Sequence, residues 1–439
     1  TSGTRMQEGL LALMQLPRIA VALNEHSKAG LAHIALVTDP TTGSAYGGFV
    51  NLADYIIAEP NALVGYSALR VLQEAEGQDL PAGSHTSESH LRNGLIDSVV
   101  TRPQLREHIG VLLGLLNNED QRPANKENHS ERQVHSPHGA WQQVQLSRHS
   151  KRPTASDLID HMATSFIELH GDRSGIEDGA VRAGFASISG EAVVLIGQVR
   201  PNQTEVRSGW IRPAGFRKAR RALLLATKFN IPVVALVDTA GARPDLEAEE
   251  RGLGDAMARC LSTMLNVPAP TIAVITGEAN SEAAVSMAAA DRVLMLDNAV
   301  YEVIRPEDAA SFLYQESHRA GEVAERLRIT SHDCLRMGIV DGTIHEPGEG
   351  AHTSHEETAA LIRRAVVREL GRLRRERPKH RLKARYDRYR EIGSTRSKVR
   401  GTLERRLAHL VDRIETFTDS IRRRKSGRGD YRDYPDIPV

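Results

Sequence analysis

A repeated set of landmarks constrains this chain more than any other feature. Thr1-Ser2-Gly3-Thr4-Arg5 recurs as Thr239-Ala240-Gly241-Ala242-Arg243, a spacing of 238 residues. The run HIALVTDPTTG from His33 recurs at the same spacing as TIAVITGEANS from Thr271. Asp54-Tyr55-Ile56-Ile57 recurs as Asp291-Arg292-Val293-Leu294, and Leu91-Arg92-Asn93-Gly94-Leu95-Ile96-Asp97 recurs as Leu335-Arg336-Met337-Gly338-Ile339-Val340-Asp341. Four landmarks in one order make the chain two copies of one fold. Residues 117–139, polar and almost free of aliphatics, read as the linker between them.

Each copy alternates strand and helix patterns, which predicts an α/β class. Pro232-Val233-Val234-Ala235-Leu236-Val237 reads as a buried strand ending in a small-residue turn. A helix should follow, because Leu253, Met257, Cys260, Leu261 and Met264 share one face. Met6, Leu10, Leu13 and Met14 carry the same stripe in the first copy and are expected to be helix core. A second strand then leads into another small polar turn, Pro40-Thr41-Thr42-Gly43 or Gly277-Glu278-Ala279-Asn280. Each copy thus places two small-residue turns at helix starts, where backbone N–H groups and the helix dipole favour negative charge. Two facing turns make an oxyanion hole, suited to a thioester enolate or a tetrahedral adduct. No acidic, basic or nucleophilic side chain is obligatory for that role, and no general base stands out.

Composition removes other classes. With 40% hydrophobic and 26% charged residues the profile is that of a soluble globular chain. Aromatics at 4% are too sparse for a single-stranded nucleic-acid platform, and a net charge of +1 steers it to neither DNA nor membrane. Cys260 and Cys334 are too few for a disulfide framework or a cysteine zinc site and suggest a reducing, cytoplasmic setting. No apolar run nears the roughly 18 residues of a membrane span.

Ser2-Gly3-Thr4-Arg5-Met6-Gln7-Glu8-Gly9, Thr38-Asp39-Pro40-Thr41-Thr42-Gly43 and Ile57-Ala58-Glu59-Pro60-Asn61-Ala62-Leu63-Val64-Gly65 resemble the β subunit of bacterial acetyl-CoA carboxylase carboxyltransferase. From Val144-Gln145-Leu146-Ser147-Arg148-His149 onward the chain resembles the α subunit. Phe166-Ile167-Glu168-Leu169-His170-Gly171-Asp172-Arg173, Gly215-Phe216-Arg217-Lys218-Ala219, Asp238-Thr239-Ala240-Gly241-Ala242 and Asp291-Arg292-Val293-Leu294-Met295-Leu296 carry that match. Arg385-Tyr386-Asp387-Arg388-Tyr389-Arg390 resembles the end of that subunit. The resemblance divides the chain into the C-terminal part of a β-type domain (1–116), a linker (117–139), an α-type domain (140–394) and a basic helical tail (395–439).

It implies two crotonase-like ββα superhelical domains and carboxyl transfer to acetyl-CoA, giving malonyl-CoA, in fatty acid or polyketide metabolism. The substrate would be an acyl-CoA or a carrier-bound acyl thioester. Gly3, Thr4, Gly43 and Ser44 would hold the thioester enolate. Gly241 and Ala242, with the helix start at Asn280, Ser281, Glu282 and Ala283, would hold the ureido oxygen of biotin on its carboxyl carrier protein. Arg243 would lie on the substrate side. A homo- or hetero-oligomer is implied, with zinc only if an upstream chain carries a ribbon and no metal in this one. His170 lies in a family motif and reads equally well as structural.

The departures gather at the second hole. Gly277-Glu278-Ala279-Asn280-Ser281-Glu282-Ala283-Ala284 lacks several of the family's glycines, and each added Cβ is expected to obstruct a ligand. Arg243 and Asp245 replace an aromatic and a glycine, the stretch from Arg200 replaces a Gly- and Lys-containing loop, and Ser44-Ala45-Tyr46-Gly47-Gly48 also differs. Two readings stay open: drift within a working carboxyltransferase, or loss of biotin with a surviving acyl-thioester site. The second would give a hydrolase, decarboxylase, acyl transferase or C–C bond-forming enzyme; an inactive scaffold is a third outcome. By repeat symmetry about 80 residues of the first copy are expected upstream of Thr1, on another polypeptide. A split gene, a fragment or self-cleavage would each explain the break, and the last would make Thr1 an N-terminal nucleophile.

Overall fold

The computed structural model describes residues 7, 10–67, 69–77, 80–117, 138–200 and 209–392. Thr1, Gly3, Thr4, most of the linker and the basic tail lie outside them. The chain forms one compact unit over Thr1–Tyr386 and a second over Asp387–Val439, whose described residues finish the helix Pro378–Glu391.

Among the described residues the first copy has five strands: β1 (Ile34–Val37), β2 (Thr41–Thr42), β3 (Tyr55–Ala58), β4 (Val64–Gly65) and β5 (Ser98–Val99). They form a parallel sheet in the order β1-β3-β5 and a parallel pair β2-β4. The second copy has β6 (Ser165–Leu169), β7 (Val181–Ile188), β8 (Glu191–Gln198), β9 (Trp210–Ile211), β10 (Val233–Thr239), β11 (Gly241–Ala242), β12 (Thr271–Asn280), β13 (Arg292–Leu296), β14 (Val300–Glu302) and β15 (Gly342–Ile344). Its main sheet runs β15-β13-β12-β10-β8-β7-β6, with β14 beside the end of β12 and β11 paired to β9. Among the described strands only the β6-β7 and β7-β8 pairs are antiparallel. Strands β8, β10 and β12 are buried at every position, which is why they read as unbroken apolar runs.

Helices return the chain between parallel strands. Pro213–Phe229 starts with proline, whose missing N–H costs nothing there, and stops at Asn230 in the left-handed region (φ 51°). Leu253–Asn266 buries Leu253, Cys260 and Met264 of its expected stripe, with Ala256 beside them, while Met257 and Leu261 are only half-buried. The stripe of the first copy does not behave so. Leu10, Leu13 and Met14 are 69%, 45% and 45% exposed, because the short helix Leu10–Leu13 buries only Ala12; Met6 lies outside the described residues. The turn expected at 277–280 is also corrected: these residues continue β12, and the chain turns only at Ser281.

The repeat holds at the level of strand register. Ile34 pairs with Tyr55 as Ile272 pairs with Arg292, and Ile57 pairs with Ser98 as Leu294 pairs with Gly342. Thr41 and Thr42 pair with Val64 and Gly65 as Ala279 and Asn280 pair with Tyr301 and Glu302. Hydrogen bonds repeat too. Asp54 accepts from the His33 N–H at 2.8 Å and Asp291 from the Thr271 N–H at 2.9 Å. Asp97 accepts from the Ile56 N–H at 2.9 Å and Asp341 from the Val293 N–H at 2.8 Å.

The copies close on each other through buried ions and bare backbone. The Asp97 carboxylate takes Arg173 Nη2 at 2.5 Å and Arg221 Nη1 at 2.8 Å. Lys228 bonds both oxygens of Asp54, and Tyr55 Oη donates to the Glu168 carbonyl at 3.1 Å. Gly94 and Gly171, both left-handed (φ 63° and 61°), touch directly: a Cβ on Gly94 would lie 2.5 Å from the Gly171 Cα. His170 belongs to this seam, since its Nδ1 meets the Asp97 carbonyl at 2.8 Å. Its position is structural.

Candidate functional site

Two of the three described turns begin a helix with a residue forced into the left-handed region; the third, expected at a helix start, instead runs into β11 at Gly241–Ala242, and the next helix begins only at Leu246. Gly43 (φ 61°) opens Gly43–Gly48, and Ser281 (φ 60°), its counterpart by register, opens Ser281–Ala288. Glycine takes that conformation freely, whereas serine does so at a cost of about 1–2 kcal/mol. Residues held in such conformations cluster at functional sites. Gly43 supplies its conformation rather than its N–H, which donates to the Tyr66 carbonyl at 2.9 Å. Ser44 sits half-buried in the helix's first turn.

At the second turn the structure brings Gly241 against Asn280 and Ser281. A Cβ built on Gly241 (φ 121°) would lie 3.3 Å from Ser281 Oγ and 3.9 Å from Asn280 Nδ2, so the missing side chain leaves a small cradle. Thr239 sets this geometry: its Oγ1 accepts from the Gly241 N–H at 3.1 Å and donates to the Gly209 carbonyl at 3.0 Å. Asn280 Nδ2 donates to the Ala240 carbonyl at 3.0 Å and ties the two turns together. Gly277 is required because its Cβ would strike the Asp238 carboxylate at 2.6 Å.

The side chains found beside Gly241 are those of Ser281 and Asn280. Ala279, Ala283 and Ala284 are fully buried in the protein interior. Glu282 is exposed in the first turn of its helix, where an anion is favoured by the helix dipole. Arg243 turns away: its N–H donates to the Ile211 carbonyl, and its guanidinium pairs with Asp245, which caps the helix Leu246–Glu250. Ala242 is half-buried beside Ile211 in the β9-β11 pair.

Behind the second turn lies a buried charge cluster. Glu278 accepts Arg148 Nη2 at 2.7 Å and Arg200 Nη1 at 2.6 Å, while Arg148 Nη1 also reaches Glu307 at 2.5 Å. Burial alone would raise the Glu278 carboxyl, but the charges of Arg200 and Arg148 outweigh it and hold it below its usual range. Burial pushes Asp238 up, against Arg200 at 3.6 Å. Sequence reasoning missed this cluster. Among the described residues no group of three His, Cys, Asp or Glu could hold a metal ion, and no helix is long and apolar enough to cross a membrane.

A family model described as acetyl co-enzyme A carboxylase carboxyltransferase-like matches residues 115–393. A Salinispora tropica protein named acetyl-coenzyme A carboxylase carboxyl transferase subunits beta/alpha is 39% identical over 385 residues, covering 84% of this chain and 68% of its own length. The Clostridium tetani protein of the same name is 34% identical over 91% of this chain and 70% of its own. The solved transcarboxylase 12S core, a hexamer with methylmalonyl-coenzyme A and methylmalonic acid bound, shares the fold with a TM-score of 0.66 at 23% identity, over 83% of this chain and 70% of that one. A single-chain, multi-domain long-chain acyl-CoA carboxylase gives a TM-score of 0.58 at 16% identity, over 79% of this chain and 34% of that one. With the register-matched turns, these likenesses place the chain in the acetyl-CoA carboxylase carboxyltransferase family, as an acyl-CoA carboxyltransferase of crotonase-like fold with a β-type segment followed by an α-type one.

Proposed function

We propose that the chain moves a carboxyl group to or from the α-carbon of a short acyl-CoA, in the class that converts acetyl-CoA to malonyl-CoA. The observation that carries this reading is the register-matched pair of left-handed helix starts, Gly43 and Ser281. Carboxylation at an α-carbon passes through an enolate, whose charge falls on the thioester oxygen. N–H groups at the start of Gly43–Gly48 are suited to that oxygen, and removing one such donor typically costs about 10²–10³ in rate. Gly3 and Thr4 would complete this hole.

The second turn fits an uncharged carbonyl-like oxygen. The space a Cβ on Gly241 would fill, the Ser281 hydroxyl beside it and the Ser281–Ala288 helix start suit the ureido group of biotin. When bound there on its carrier protein, biotin supplies the transferable carboxyl group. Gly241, Ser281 and Asn280 would hold and orient it, and Thr239 would keep the turn in shape. The same family line supports an oligomer, since relatives are named as subunits and the transcarboxylase neighbour is a hexamer.

A second reading, acyl-thioester turnover without biotin, is supported by Glu282, whose carboxylate stands at the start of the same helix. A transfer assay with and without biotin carrier separates the two. Gly241→Ala should lower biotin-dependent transfer at least ~10-fold, because the added methyl occupies the cradle at a backbone conformation that alanine resists. Transfer unchanged in Gly241→Ala, or turnover indifferent to biotin, would overturn the first reading. Absence of both activities would leave a scaffold role.

A further inference from the structure

The pairing that frames the second turn carries a carboxyl with no counterpart in the first. Strand β14 runs parallel to the end of β12, with Glu302 opposite Asn280 and Val300 opposite Glu278. By register the first copy has Pro40 and Gly65 where the second has Glu278 and Glu302. The Glu302 side chain is fully buried, yet neither of its oxygens has a hydrogen-bond donor among the described residues. Its cation is Arg148 Nη2, 3.6 Å away, and that group is already committed to Glu278 at 2.7 Å.

The charges facing Glu302 do not favour a second anion. Strand β12 brings Glu278 and the helix Pro306–Tyr314 brings Glu307. Against them stand Arg148, just past the helix Ala140–Ser147, and Arg200, just past β8. Arg148 and Arg200 are both committed to Glu278, and Arg148 to Glu307 as well, so Glu302 has no cation within hydrogen-bond distance, and a buried carboxylate with no donor is costly. The satisfied arrangement is a neutral Glu302 that donates its proton to Glu278, the shared-proton state of a crowded carboxyl pair.

We propose that Glu302 is a positioning residue of the second turn: its proton ties β14 to Glu278 on β12, and ionising it loosens the Asn280–Ser281 turn and switches the site off at alkaline pH. Burial first, and the neighbouring Glu278 charge second, push the Glu302 carboxyl well above its usual range, in keeping with this state. The sign follows. A group whose pKa is raised by folding gives stability that is complete below its unfolded value and is lost as pH rises through its folded value. The activity consequence rests on the second turn taking part in carboxyl transfer; the proton tie does not.

The test compares full-length wild type, Glu302→Gln and Glu302→Leu. Gln keeps a donor toward Glu278 but cannot ionise, and Leu removes the donor. Melting midpoints are measured from pH 5.5 to 9, with transfer rates over the same range. Wild type should lose stability relative to Glu302→Gln as pH rises, while Glu302→Leu should melt lower than Glu302→Gln throughout. Wild-type transfer should fall at least ~10-fold on an alkaline limb that Glu302→Gln lacks. A wild-type-minus-Gln difference constant with pH, or Gln and Leu variants that behave alike, would overturn the proton tie. A melting shift without transfer by any form would leave the tie standing and remove the carboxyltransferase reading instead.

Discussion

The internal repeat supplies its own control for the packing of the two copies. Gly94 and Gly338 occupy matching positions and are both left-handed, at φ 63° and 75°. Gly338 has nothing within 4 Å of a built Cβ, whereas Gly94 would place one 2.5 Å from the Gly171 Cα and 3.2 Å from its nitrogen. Alanine at either site meets a left-handed strain of about 1–2 kcal/mol, offset by about 0.4–1 kcal/mol from a stiffer unfolded chain. At Gly94 it also meets backbone that cannot rotate aside, and overpacking of that kind costs a further 1–3 kcal/mol or so. Gly338→Ala should therefore cost roughly 0.5–1 kcal/mol and Gly94→Ala roughly 2–4 kcal/mol. Urea unfolding of the two variants and the parent, at fixed protein concentration, reads the difference. Equal losses would mean that the copies do not close at Gly94–Gly171.

Two further outcomes follow from the buried groups. Burial alone would raise the Asp97 carboxyl, but Arg221 and Arg173 outweigh it and hold it below its usual range, so its stabilisation is present above the unfolded carboxylate pKa and is lost as pH falls through its folded value. Asp97→Asn should cost about 3–5 kcal/mol at pH 7 by leaving two partly buried arginines unpaired, and the gap to wild type should narrow only below about pH 4, in acid-unfolding curves. Cys260 and Cys334 are buried, and burial pushes both thiols up to about 12. Native protein should resist alkylation at pH 8 at least ~100-fold better than unfolded protein, by intact mass; rapid labelling of either thiol would contradict their burial.

Much of the architecture was readable because it is written in runs of apolar residues. Strands β8, β10 and β12 and the helix Leu253–Asn266 follow from burial on both faces or on one stripe. The offset between copies also anticipates which strand residues pair. What escaped the sequence depends on partners far along the chain. Asp97 stood out only as a repeated landmark, yet its arginines come 76 and 124 residues later. Glu302 gains its meaning from Glu278 on a neighbouring strand. Conformation is equally silent: nothing in Asn280-Ser281-Glu282 announces that serine takes glycine's left-handed place. The apolar stripe of Leu10, Leu13 and Met14 misled for a related reason, since a pattern states that a face is apolar and not what covers it. Counting Cβ atoms at the second turn says nothing of their burial, and Ala283 and Ala284 are fully buried.

The central claim is that the paired turns carry carboxyl transfer to an acyl-CoA, with the second turn presenting the carboxyl donor. The direct measurement is the rate at which the full-length protein moves labelled carboxyl between an acyl-CoA and biotin on its carrier, for wild type and Gly241→Ala. The account predicts biotin-dependent transfer by wild type and at least ~10-fold less by the variant, with its melting midpoint within a few degrees of wild type. Equal transfer by both proteins, or acyl-CoA turnover that ignores biotin, would contradict it.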